Sequence, residues 1–217
     1  MTSSPAERTE TKRGDREGRR RDILRAAAEI LETKGYGELN MRDVASRAGV
    51  SAGTPYSYFA SKEEIFATLL IRRFEDLTER FDRMAEQSAD LAELMRAVIP
   101  AITEMQRDLG QHVTAWERAA DDSEEVTVRL GAAFSDAIAA LERAVRKTAS
   151  RMGLALDDSS CSRPLLWSTV VGVANINVAG VERLCAYERS DLVELAARMI
   201  ERGLTEPAVR DSSGPKG

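Results

Sequence analysis

The chain has 217 residues, 43% hydrophobic and 31% charged, with a net charge of −5. That length suffices for a sizeable buried core, but 14 glycines, 6 prolines and 5% aromatics are too few for a sandwich or barrel built on many tight turns. The two cysteines, Cys161 and Cys185, are too sparse for a disulfide framework or a cysteine metal cluster and read as structural thiols.

No apolar run reaches the ~18 residues of a membrane span, and the opening MTSSPAERTETKRGDREGRRR lacks the apolar stretch of a signal peptide. A soluble, cytoplasmic, all-α protein without membrane contact is expected. Its charge is split. Residues 1–62 hold 12 Lys and Arg against 9 Asp and Glu, and the acidic excess lies beyond them. Such a split predicts that only the N-terminal part meets a polyanion.

Residues 1–15 are polar and mixed in charge, and read as a disordered arm. From Arg16 the pattern turns helical, with Ile23, Leu24, Ala27, Ile30 and Leu31 on one face and Gly35 as a left-handed stop. Asn40 opens a second helix with Asp43 as its capping partner, and Met41, Val44, Ala45 and Ala48 form the buried side. Gly49 ends it. Ser51 is a good N-cap for a third short helix from Ala52 to about Phe59. Ser61 caps a long fourth helix striped by Ile65, Phe66, Leu69, Leu70, Phe74, Leu77 and Phe81.

Beyond Glu86 no strand signal occurs. A fifth helix is expected near 89–108, broken or kinked around Pro100, a sixth over 111–120 and a seventh over 123–151. After a loop from Asp157 to Pro164, the eighth covers 164–186 and the ninth 190–204. The tail from Glu206 should fray. The domain reading is an arm at 1–15, a DNA-binding unit at 16–62, a ligand-binding and dimerisation unit at 63–205 and a flexible tail at 206–217.

Short helices with a glycine turn between the second and third form a helix-turn-helix. Ala45 lets the two helices cross closely, Gly49 takes the turn and Val50 fills the gap beneath. The third helix then presents small and aromatic-polar residues outward, as a surface fitted into a major groove requires. The segment Arg19–Leu70 resembles the DNA-binding domain of the TetR family of transcriptional regulators. The resemblance rests on Ile23-Leu24, Ala27-Ala28, Gly35-Tyr36, Val44-Ala45, Ala48-Gly49-Val50-Ser51, Gly53-Thr54, Tyr56, Tyr58-Phe59 and Ser61-Lys62-Glu63. It covers about a quarter of the chain. Pro55 departs from the family, which usually has an aliphatic residue there, and its missing amide alters the entry to the third helix.

This resemblance implies roles for particular residues. Arg42 would contact a base or a phosphate, and Ala52, Gly53, Thr54 and Ser57 would face base edges. Tyr56 and Tyr58 would lie near the sugar-phosphate backbone, with Tyr58 equally assignable to the core and Phe59 mainly core. Lys62 would meet a phosphate beside a helix N-terminus. The Arg19–Arg21 cluster reads equally as a groove or phosphate contact and as a solvated run.

In the C-terminal part, Met95, Ile99, Ile102, Met105, Phe134, Ile138, Trp167 and Val171 are candidate apolar walls of an effector pocket, with His112, Trp116 and Asn175 as its polar or aromatic members. For His112 and Trp116 ordinary packing is the competing reading. Thr169, Asn175 and Asn177 stand in the otherwise apolar eighth helix, and each needs a hydrogen-bond partner if buried.

The residues also frame alternatives. His112 with Glu117 or Asp121 would be an acid–base pair or metal site, but no nucleophile motif, metal spacing, cofactor motif or phosphate loop accompanies them. A helical interaction protein without DNA binding is the third reading. The expected protein is a homodimeric, non-enzymatic repressor that binds a palindromic double-stranded operator and is released by a small apolar or amphipathic effector. The eighth and ninth helices would pair the subunits. The segment Trp116-Glu117-Arg118-Ala119 and the Trp167 helix resemble TetR members that control steroid and lipid catabolism in actinobacteria, and a multidrug-efflux sensor is the alternative.

Overall fold

The computed structural model describes residues 5–119, 124–156, 162–180 and 186–205. They form α1 (Pro5–Lys34), α2 (Met41–Arg47), α3 (Lys62–Gln87), α4 (Leu91–Met105), α5 (Gln111–Ala119), α6 (Glu124–Arg151), α7 (Ser162–Ala179) and α8 (Arg189–Thr205). Tyr36–Glu38 and Pro55–Ser57 are 3₁₀ turns and Gln106–Gly110 is a π-helical segment. Among the described residues there is no strand, and no helix is long and apolar enough to cross a membrane. Among the described residues the α-helices are fewer than the nine expected, because the third of those is not α-helical.

Two other expectations need correction. The arm read at 1–15 is helical from Pro5, so α1 begins well before Arg16. Proline suits a first helical position because its missing amide has no partner there in any case. Pro100 does not break its helix either. α4 runs through it, and the proline lies on the exposed face, where water can solvate the carbonyl left without a donor. The departure from α geometry comes afterwards, in the π segment. Cys161, Cys185, most of the 157–164 loop, the end of the expected eighth helix and the 206–217 tail lie outside the described residues.

The chain divides into two compact units. The first comprises Met1–Arg72 with Asp108–Leu130, and the second Arg73–Arg107 with Gly131–Gly217. In the first, α1 packs on α2 through a buried row of Ile23, Leu24, Ala27, Ile30 and Leu31. Gly35, at φ +81°, ends α1 in the left-handed region, with its amide donating to the Leu31 carbonyl at 3.0 Å. In the second unit α4 is the centre. It packs on both α7 and α8, and Leu91, Leu94, Met95, Val98, Ile99 and Ile102 are fully buried on it. The stripe of α7 formed by Leu166, Val170, Ala174 and Asn177 is buried. Arg96 of α4 bridges Glu194 of α8 at 2.6 Å, and Arg151 of α6 donates to the Ala85 and Ser88 carbonyls at the end of α3.

The turn after α2 has a single-residue requirement. Gly49 sits at φ +68°, and the Gly49 and Val50 amides donate back to the Ser46 and Ala45 carbonyls at 3.2 and 3.0 Å. This is the Schellman arrangement, which favours glycine at its left-handed position. Gly49→Ala should therefore destabilise the fold by about 1–2 kcal/mol. In urea unfolding this would appear as a lower midpoint at an unchanged slope.

Candidate nucleic-acid interface

The candidate interface comprises the start of one helix, one turn and the start of another. Asn40 caps α2 from an extended conformation, its side-chain oxygen accepting the Asp43 amide at 2.9 Å. This cap places Arg42 on the exposed first turn of α2. Met41, Val44 and Ala45 are buried behind it, and α2 packs on the Pro55–Ser57 turn.

The recognition segment differs from the expected α-helix over Ala52–Phe59. Residues 52–54 form a turn whose Thr54 amide donates to the Ser51 carbonyl at 2.9 Å. A 3₁₀ turn follows. Ser57 and Tyr58 donate to the carbonyls three residues back, Thr54 and Pro55, each at 3.0 Å, and Phe59 reaches the Pro55 carbonyl as well. Pro55 explains the difference. It is buried, and it has no amide to supply a helical bond back to Ser51. Ser51 does not act as a helix N-cap through its side chain; its hydroxyl lies 2.7 Å from that of Thr54.

Within this segment Ala52, Gly53, Tyr56 and Ser57 are exposed, Tyr56 at 59% of its surface. Thr54 and Tyr58 are half-buried, and Phe59 is in the core. Arg16 lies over the Tyr58 ring at 5.9 Å and Arg20 over the Phe59 ring at 4.8 Å, so α1 reaches the back of the recognition turn.

Lys62 opens α3. Ser61 Oγ accepts the Glu64 amide at 3.3 Å, while the Glu64 carboxylate accepts the Ala60 amide at 2.6 Å, a close variant of the capping box. The Lys62 ammonium sits 4.8 Å over the ring of Tyr36. Tyr36 donates its hydroxyl to Glu63 Oε1 at 3.1 Å, and burial, then the charge of Glu63, push the phenol's pKa up. Phe66 meets the Tyr36 ring edge-on at 5.2 Å and Trp116 at 5.9 Å. Trp116 also donates its indole N–H to the Glu63 carbonyl at 3.2 Å, satisfying an otherwise unpaired polar atom beside a buried ring.

Trp116 and His112 therefore belong to the first unit, not with the candidate pocket walls of the second. His112 bonds the Leu31 main chain, and Gly35 lies against its ring, 3.4 Å from ring Cε1 to where a Cβ would stand. Its Nε2 is buried with no partner among the described residues. Burial lowers its pKa, against the opposing effect of the Leu31 bond. The ring packs at the end of α1 and Glu117 is exposed; Asp121, the other acid considered beside it, lies outside the described residues.

The remaining candidates fall in the second unit. Met95, Ile99, Ile102 and Met105 are buried, Ile138, Trp167 and Val171 are half-buried, and Phe134 is 37% exposed. Phe134 packs edge-on against both Phe74 and Trp167, each at 5.4 Å. The polar residues of α7 separate cleanly. Thr169 donates to its own helix at the Leu165 carbonyl, and Asn175 accepts from Gln106 at 2.8 Å. Asn177 is 5% exposed, and its side-chain oxygen has no partner among the described residues. Of the three, Asn177 carries the unmet capacity, while the pocket candidate Asn175 is exposed and bonded.

Residues 23–69 match the family model described as bacterial regulatory proteins, tetR family. The chain carries a TetR-family domain. The transcriptional activator FasR of Mycolicibacterium smegmatis is 33% identical over 86 residues, 40% of this chain and 39% of that protein. The transcriptional repressor KstR of the same organism is 43% identical over 67 residues, 31% of this chain and 33% of that one. The matches thus span well under half of these relatives. FadR from Bacillus subtilis, solved in complex with stearoyl-CoA, shares the fold at a TM-score of 0.60 over 84% of this chain and 98% of that one, with 20% identity. This likeness is one of fold, and the matched segment holds Arg42, Ala52, Gly53, Thr54, Tyr56, Ser57, Tyr58 and Lys62.

The half-buried His112 ring has a measurable consequence. Its pKa is depressed in the folded protein, so the unfolded chain binds a proton first as the pH falls. The stability contributed by the neutral ring is complete above the unfolded value of about 6.5 and is lost as the pH drops from there through the folded value. Denaturation midpoints measured between pH 7.5 and 5, about the range in which an ordinary histidine titrates, should show a decline that His112→Gln abolishes.

Proposed function

We propose that the chain is a homodimeric transcriptional repressor that binds a palindromic DNA operator and is released by a small apolar or amphipathic effector. The observation that carries this reading is the exposed set Arg42, Ala52, Gly53, Tyr56 and Ser57, presented by a TetR-family turn with Lys62 at the head of the next helix. Small side chains at 52 and 53 allow close approach to base edges. Arg42, Tyr56 and Lys62 supply the side-chain types that meet phosphates. The relatives include both an activator and a repressor, and repression is the reading adopted here.

Dimerisation is supported by α7 and α8. Leu165 is 67% exposed and Met199 64%, and Ile176 and Leu195 on the same two helices are exposed as well. Large apolar residues repeated on two adjoining helices fit a second copy of the same surface. A stable pair buries at least about 1,200 Å² in total. Sedimentation at micromolar concentration should show a dimer, and Leu165→Glu with Met199→Glu should shift it to monomer without unfolding it.

The effector would sit in the second unit among α4, α6 and α7, where the buried methionines and isoleucines of α4 are apolar and adaptable. A lipid- or steroid-type metabolite is favoured, in keeping with the stearoyl-CoA bound by FadR. α3 contributes residues to both units. Its displacement on effector binding would change the spacing of paired recognition segments away from one DNA turn, about 34–36 Å. By linkage, DNA would weaken effector binding by the same factor.

The DNA reading is tested on duplexes selected from a random library by the full chain. Lys62→Ala should weaken binding across all selected sequences and lower the salt slope by roughly one. Tyr56→Phe should also weaken binding broadly, whereas Thr54→Ala should relax base preference. Unaltered anisotropy titrations for all three variants would refute the surface.

A further inference from the structure

Arginines of α1 and α3 line one cleft of the first unit. Its volume is about 580 Å³, and it is lined by Gly18, Arg21, Arg25 and Ala28 of α1 and by Leu69 and Arg72 of α3. We propose that this cleft is a binding site for a phosphate-bearing anion, with Arg21, Arg25 and Arg72 as its ligands.

The charge count favours an anion. Asp22 is the one carboxylate lining the cleft, and it pairs with Arg25 at 3.0 Å in an exposed contact. Such a surface pair is weak and readily exchanged for a better one. Among the described residues neither Arg21 nor Arg72 has a carboxylate within ion-pair distance. Burial, then the like charges of Arg72 and Arg129, lower the pKa of the neighbouring Arg20. The acid facing Arg20 is Glu64, whose carboxylate already accepts the Ala60 amide at 2.6 Å. The result is a group of like charges with too few counter-charges. A dianion placed among them would relieve this repulsion.

Shape and chemistry narrow the class. Gly18 and Ala28 contribute almost no side chain, and a Cβ built on Gly18 would meet nothing within 4 Å, so the α1 wall is open. Leu24 and Leu69 give the cleft an apolar side. Guanidinium groups arriving from two helices can grip a phosphate through paired N–H donors, which an ammonium cannot do. The volume exceeds what a single phosphate fills, leaving room for a second phosphate or an attached group. Two sources offer this chemistry: a DNA backbone phosphate flanking the operator, and a free phosphorylated small molecule.

The test uses the full chain and two probes, pyrophosphate and a long duplex, each measured on the wild type, Arg21→Glu, Arg72→Glu and the control Arg118→Gln, whose residue is exposed on α5. The arginines are exposed, so the variants should melt as the wild type does. Under calorimetry the wild type should bind pyrophosphate saturably, and both cleft variants should weaken it at least tenfold while the control does not. That result with unchanged duplex binding identifies a free anion. A DNA salt slope lowered by about one in each cleft variant, without saturable pyrophosphate binding, identifies a backbone phosphate. Equal behaviour of wild type and cleft variants toward both probes overturns the proposal. A wild type that binds no duplex at all would overturn the repressor reading, and the pyrophosphate titration would still decide the cleft.

Discussion

The first unit depends on the contact of Phe66 with two other rings. Phe66 lies one turn into α3, with Tyr36 edge-on to one side and Trp116 tilted against the other. Tyr36 follows the end of α1, and Trp116 belongs to α5, so three distant stretches of chain meet at one side chain. Polar handles fix the orientation. Tyr36 and Trp116 both bond Glu63, one at the carboxylate and one at the main chain. The Lys62 ammonium is then held over the Tyr36 ring. Ring packing in the core thus determines where the first residue of α3 presents its charge.

Much of this was legible in the sequence, for physical reasons that differ from place to place. The stripes of α1 and α3 repeat at the helical period, and a row such as Ile23, Leu24, Ala27, Ile30 and Leu31 can be buried only one way. Asn40 and Gly49 announce their caps because few residues satisfy those backbone demands. Pro55 was visible too, but its effect depended on whether the chain around it would keep an α path or tighten. Burial of the ring and the three-residue hydrogen bonds behind it gave the tighter path.

His112 and Trp116 show where such reading fails. Their i, i+4 spacing favoured a core contact and left a pocket wall open. The partner that decides, Gly35 for one and Phe66 for the other, lies many residues away in sequence. The polar residues of α7 failed in the same way. Thr169, Asn175 and Asn177 look alike in the sequence, and only the position of Gln106 separates the satisfied amide from the unsatisfied one. The arginine cleft was half visible, since α1 shows its cluster openly but nothing marks Arg72 as its neighbour.

The hydroxyl pair of Ser51 and Thr54 carries a consequence for sequence discrimination. The two oxygens are 2.7 Å apart, and either can be the donor. Rotating both hydrogens reverses the pair, so one oxygen turns from acceptor to donor as the other does the opposite. At a base edge such a pair would have no fixed polarity. It could answer the N7 acceptor of a purine in one setting and the amino donor of adenine or cytosine in the other. The reading at that position would be permissive, distinguishing shape and reach better than it distinguishes the letters of the code. Stricter selection would have to come from neighbours whose hydrogen-bonding sense cannot invert, of which the guanidinium of Arg42 is one.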